Sequence, residues 1–284
     1  MASQGTVAGG TIKALWRYPV KSMAGNKIDE ALITEGGILG DRGYAVIDGT
    51  SGRVGSAKTP KKWGALTALA ADFVRPPEAG ASLPPVRVVW PDGTDATSDG
   101  GDVDARLSET LGRPVALTTK RPETISLERL DPLAEEETIV DIGELMMEGR
   151  FSDYAALHLI TTATMARLAE LRPESEFSAR RFRPNVTIAT PEGETGFVEN
   201  DWVGRELAIG DEVRLRISDP TPRCSIPTIA QKDLAKDPQV LRTIVEHNSL
   251  PVPLLDGESL PCAGIYGFVV QGGSVKRGDA VRVI

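Results

Sequence analysis

The chain has 284 residues, enough to bury a sizeable core as one large domain or two small ones without covalent staples. Its 32 basic and 40 acidic side chains leave a formal charge of -8, which argues against a large nucleic-acid footprint and for a mostly acidic surface. Two cysteines are too few for a disulfide framework, no run of about 18 apolar residues occurs, and the first residues lack a basic segment followed by an apolar one; the expectation is a soluble cytoplasmic protein with no membrane insertion, a single Cys224–Cys262 bridge remaining open.

Residues 11–20 have strand-forming composition, and residues 44–48 read as a second strand ending in the turn Gly49-Thr-Ser-Gly52. Between them lie Lys21 and Ser22, just after Pro19, and the tight turn Gly40-Asp-Arg-Gly43. From about residue 58 to 149 the texture changes to a separate small unit. A short helix is expected over 61–71, a strand over 85–90 and a helix over 102–111 stopped by Gly112. Its Pro- and Gly-rich stretches read as surface loops, and Glu135-Glu-Glu137 as a solvated face or, as the functional option, an acidic docking patch for a redox partner.

Strand texture returns at 156–160, where Thr161 or Thr162 caps a helix running to residue 171. A strand feeding a helix start leaves free amides, so the spot is either a phosphate site or a plain N-cap. The run Arg180-Arg-Phe-Arg-Pro-Asn185 then brings three arginines and an asparagine to the mouth of a strand at 186–189. Strands follow at 206–209 and, with clean alternation, at 213–218. A helix opens at Asp237-Pro238, and residues 263–270 with 281–284 read as a closing hairpin around the turn 271–274. Many short strands with turn signals indicate a β-barrel core.

One segment reads as chemistry. In Thr221-Pro-Arg-Cys-Ser-Ile-Pro-Thr228 a thiol follows a fixed cation in a turn braced by two prolines. The Arg223 guanidinium favours the thiolate of Cys224, the form that binds a soft metal or attacks an electrophile. The alternative is a small buried hydrophobe at a strand end. Cys262 reads as a buried strand-edge thiol, and His158 and His247 as structural histidines.

Taken together, Tyr18-Pro-Val-Lys-Ser-Met23, Gly40-Asp-Arg-Gly-Tyr44, Phe182-Arg-Pro-Asn185, Thr221-Pro-Arg-Cys224, Ile265-Tyr-Gly267 and Val275-Lys-Arg-Gly-Asp279 resemble the successive signatures of MOSC-domain proteins. That family is named for the C-terminal domain of molybdenum cofactor sulfurase and includes amidoxime-reducing components and hydroxylaminopurine-resistance reductases. The resemblance implies a mixed α/β, β-rich fold: a barrel core from residues 10–57 and 150–284, with an inserted unit over 58–149. It implies a molybdenum cofactor, the metal bound by Cys224 and the pterin and its phosphate held by Lys21, Ser22, Arg42, Thr161, Arg183, Asn185 and Arg223. A family-level association with pyridoxal phosphate comes with it. The implied activity is reduction of small N-hydroxylated compounds, with electrons from a separate flavin, haem or iron-sulfur protein, because no cysteine cluster for an iron-sulfur centre is present. Sulfur transfer through a persulfide on Cys224, and cofactor carriage without catalysis, are the alternatives.

Overall fold

The computed structural model describes residues 7–122, 126–130, 137–141 and 150–284. The motif Glu135-Glu-Glu137 lies outside the described side chains. Among the described residues strands predominate and only five α-helices occur. None of these helices is long and apolar enough to cross a membrane.

Seven strands form a closed barrel: β1 (Val7–Arg17), β2 (Leu157–Thr161), β3 (Val186–Ala189), β4 (Glu206–Ile209), β5 (Val213–Pro222), β6 (Glu258–Gln271) and β7 (Ala280–Val283). The ring runs β2-β3-β1-β7-β4-β5-β6 and back to β2, antiparallel throughout except between β2 and β3. Its interior follows from the period of two in each strand: Leu157 and Leu159, Val186 and Ile188, Leu207 and Ile209, and Val281 and Val283 all join one buried core. Closure also requires bends. β1 carries register shifts at Ala8/Gly10 and Ile12/Ala14, and Gly10, at φ 122°, sits where a Cβ would meet the Ala189 carbonyl oxygen at 1.9 Å.

The expected closing hairpin is not formed. β6 already has β5 and β2 on its two edges, so β7 has no edge of β6 to join and instead seals the ring between β1 and β4. The intervening strand Gly273–Lys276 leaves the barrel and pairs with Glu30–Thr34.

A second core gathers Val20, Met23, Tyr44, Val46, Leu66 and Phe73 with residues further along the chain. Strand Ala45–Asp48 pairs here with Val115–Thr118, outside the barrel. The helix expected over 61–71 is a single turn, Pro60–Trp63, followed by a 3-10 turn, Gly64–Ala68. Thr67 returns its hydroxyl to Gly64 O at 2.8 Å, and the next residues, Ala70–Phe73, are taken by pairing with Val86–Val89. Helix Val103–Leu111 stops as expected at Gly112, which adopts φ 64°.

Candidate functional site

Four of the segments singled out from the sequence converge on one cavity of about 260 Å³. Lys21, Ser22, Arg42, Arg183, Asn185, Arg223 and Cys224 all line it. Lys21 and Ser22 follow the end of β1, Arg42 sits in the Gly40–Gly43 turn, Arg183 and Asn185 precede β3, and Arg223 and Cys224 follow β5. Among the described residues the lining holds six lysines and arginines against one carboxylate, Asp153, in a chain whose net charge is -8. Field lines from those cations focus on the cavity and select for anions.

The backbone pays for this placement. Ser22, Arg42 and Arg183 have φ of 69°, 50° and 55°, the left-handed region that side-chain-bearing residues avoid. Such geometry persists only where the surroundings enforce it, and it clusters at functional sites. For Arg42 the enforcement is visible: its amide donates to Tyr18 O at 2.6 Å, and its carbonyl accepts from Phe151 N at 2.9 Å.

Buried Asp41 orients the first arginine. Its carboxylate accepts from Arg42 Nη1, from Arg150 Nη2 at 2.6 Å and from Tyr18 N at 2.8 Å. Burial opposes ionisation of Asp41, yet Arg42 and Arg150 hold its pKa below the usual carboxylate range. Arg42 and Arg183 both lie against the Tyr18 ring, at 4.8 and 4.4 Å from its centroid. Burial, then the charge of Arg42, draws the Arg183 pKa down to about 10, which leaves it cationic at neutral pH. Its Nη2 is buried and has no hydrogen-bond partner among the described residues. An orphaned guanidinium N–H beside a cationic cavity is the donor an anionic ligand would satisfy.

Not every expected residue is free to bind. Arg223 gives Nε to Ala263 O at 2.9 Å and Nη1 to Phe182 O at 3.1 Å, while Nη2 contacts Ala263 O and His158 Nε2. Asn185 accepts from His158 N at 3.2 Å and reaches toward Trp16 O, bracing strand ends. Thr161 is not among the lining residues. Its hydroxyl donates to Glu199 Oε2 at 2.6 Å and caps helix Thr162–Leu171 by accepting from Thr164 N. That helix start therefore has a carboxylate of its own.

Cys224 is half-buried and lines the cavity, whereas Cys262 is fully buried, donates to Leu260 O at 3.2 Å and has its pKa pushed up to about 12 by burial. Both thiols are free. Among the described residues no group of three or more His, Cys, Asp or Glu could hold a metal by itself. Cys224 would be a single protein ligand to a metal otherwise held by its own cofactor, and a soft thiolate suits a metal bound through sulfur.

Lys58 and Asp153, which carry no sequence signal, also line the cavity, as does Tyr266 of the Ile265-Tyr-Gly267 signature, to which the sequence assigns no separate role. Lys58 Nζ lies 2.6 Å from Asp153, whose other oxygen accepts from Lys21. Burial would raise the Asp153 pKa, but Lys21 and then Lys58 hold it well below the carboxylate range. Burial lowers the Lys58 pKa, yet Asp153 and the nearby Cys224 raise it overall. Tyr266, kept protonated by burial, stacks edge-on with Tyr154 at 5.3 Å. His158, expected to be structural, itself lines the cavity and contacts Arg223; burial and that cation keep its imidazole neutral.

Residues 147–282 match the MOSC domain, and residues 9–114 match the MOSC N-terminal beta barrel domain. The chain belongs to the MOSC family. Among curated relatives it is 26% identical over 292 residues to mitochondrial amidoxime-reducing component 1 of Homo sapiens, covering 97% of this chain and 83% of that protein. It is 25% identical over 291 residues to mitochondrial amidoxime reducing component 2 of Bos taurus, covering 96% and 82%. Against molybdenum cofactor sulfurase of Danio rerio it is 24% identical over 259 residues, 84% of this chain but only 30% of that protein.

Proposed function

We propose that the cavity holds a molybdenum–molybdopterin cofactor and that the protein reduces small N-hydroxylated compounds, such as amidoximes, hydroxylamines or N-hydroxylated bases, with electrons from a separate redox protein. The observation that carries this reading is the convergence, among the described residues of an acidic chain, of a half-exposed thiol, six basic side chains and a buried guanidinium nitrogen without a partner. The named relatives, amidoxime-reducing components among them, support it.

When bound, the cofactor would supply the two-electron chemistry that removes oxygen from an N–O bond. Cys224 would bind the metal through its thiolate. Arg183, Arg42, Lys21 and Ser22 would hold the pterin and its phosphate, planar guanidinium groups adding bidentate contacts. Arg223 acts one step back: its bonds to Ala263 O and Phe182 O fix the peptide that carries Cys224. Neutral His158 accepts from Arg223 at Nε2, and Tyr266 Oη and Lys58 Nζ are among the protonated groups of the lining.

Metal analysis of protein made in a host that synthesises the cofactor tests the reading. About one molybdenum per chain, lost in Cys224→Ser with the fold intact, supports it. No metal but a labile sulfane sulfur on Cys224 would instead make the protein a sulfurtransferase. Metal retained without turnover of any N-hydroxylated substrate, given a competent electron donor, would make it a carrier.

A further inference from the structure

The residues proposed to hold the cofactor leave Asp153, the one carboxylate among the described lining residues, unexplained. Its Oδ1 accepts from Lys21 Nζ, and its Oδ2 lies 2.6 Å from Lys58 Nζ. Lys21 also donates to Phe151 O at 2.8 Å, and the residue is only 5% exposed. Two ammonium groups from separate stretches of chain thus converge on the two oxygens of one small anion, the arrangement a phosphate oxyanion requires. The carboxylate itself is less enclosed: its side chain is 31% exposed, against 6% for that of Lys21. It lies at the cavity surface, where a short side chain can turn toward solvent.

We propose that Asp153 is a built-in occupant of an anion seat formed by Lys21 and Lys58, and that a phosphate-bearing ligand gains Lys21 by displacing it. This rests on the reading that Lys21 meets the ligand's phosphate. In the free protein the carboxylate keeps two mutually repelling ammonium groups together, so the seat is formed before the ligand arrives. Occupancy also makes the seat selective. A phosphate monoester, carrying about -1.5 to -2 charges at neutral pH, outcompetes a carboxylate for two lysines, whereas a monoanion gains little by the exchange. The ligand class assigned to the seat is therefore a terminal phosphate monoester and not a phosphodiester.

Calorimetry on cofactor-free protein tests this with phenyl phosphate as the dianion and dimethyl phosphate as the monoanion. The wild type should bind phenyl phosphate and discriminate against dimethyl phosphate. Asp153→Asn should tighten both, by at least about tenfold for phenyl phosphate, and should narrow the difference between them. The gain should vanish in a Lys21→Gln background. Asp153→Glu, which keeps the charge, should stay near the wild type, and thermal melts report whether each variant is folded. Equal or weaker phenyl phosphate binding by Asp153→Asn would overturn the proposal and make Asp153 a brace for the lysines. A gain that persists without Lys21 would also overturn it, because the carboxylate would then act only as background charge. If the protein carries molybdenum while Asp153→Asn leaves anion affinity unchanged, only this inference fails. If no metal is found while the anion results hold, only the cofactor assignment fails.

Discussion

Asp41→Asn should destabilise the protein by about 3–5 kcal/mol, the cost of removing one partner from a buried ion pair. The same figure follows from the contacts. The carboxylate is 1% exposed and serves Arg42 Nη1, Arg150 Nη2 and Tyr18 N. An amide keeps an oxygen for the Tyr18 amide but turns its NH2 toward a guanidinium, donor against donor. Two charge-assisted bonds of roughly 1.5–3 kcal/mol each are lost, and two largely buried arginines lose the carboxylate they share. Against a typical total of about 5–15 kcal/mol this is a large fraction. Urea unfolding of cofactor-free protein at pH 7, followed by the fluorescence of its four tryptophans, reads the loss. Because Arg42 and Arg150, acting against burial, depress the folded pKa of Asp41, its contribution is present above the unfolded value of about 3.9 and fades as pH falls through and below it. The wild type and the variant should therefore converge in acid. Adding Arg150→Met should cost less than the sum of the single changes. A loss under about 1 kcal/mol at pH 7 would show that the two guanidinium groups do not depend on this carboxylate.

Other outcomes follow from the same geometry. Gly264→Ala should disturb the His158–Arg223 pair, since Gly264 has φ 81° and a Cβ there would lie 2.5 Å from His158 Nε2 and 2.4 Å from Leu159 O; a melting temperature equal to wild type would contradict this. His158 has a folded pKa well below 6.5, chiefly from burial and then from Arg223, so its contribution to stability is full above about 6.5 and is lost as pH falls, by at most about 1.4 kcal/mol per pH unit. His158→Gln should flatten that segment of a stability–pH curve, and an unchanged slope would refute the assignment. In cofactor-free native protein a thiol reagent should modify Cys224 and spare Cys262 until denaturant is added, as mass spectrometry of the peptides would report.

The parts of the cavity that were legible in the sequence are those where local chemistry is unusual. Cys224 stands between an arginine and a proline-braced turn, and three arginines crowd the six residues from Arg180 to Asn185. Lys58 and Asp153 have no such signature. Each sits in an ordinary polar stretch, and only the fold brings an ammonium from before the Pro60–Trp63 turn onto a carboxylate that precedes β2. Thr161 carries the local signature of an anion site, yet a distant glutamate, Glu199, fills it, and no local pattern announces that partner. The barrel strands were readable from their alternation. The fate of β7 was not, because which edge a strand joins depends on which edges are already taken.

The three left-handed backbones at Ser22, Arg42 and Arg183 carry a consequence for anyone who would toughen this molecule. Glycine at Arg183 would relieve roughly 1 kcal/mol of torsional penalty, partly offset by a looser unfolded chain, whereas glycine at Arg42 or Ser22 would also remove the Asp41 ion pair or the hydroxyl that accepts from Ala57 N. A screen that rewards heat resistance alone would thus be drawn to Arg183, a position proposed to hold the ligand, and would deliver a sturdier protein with an emptier cleft.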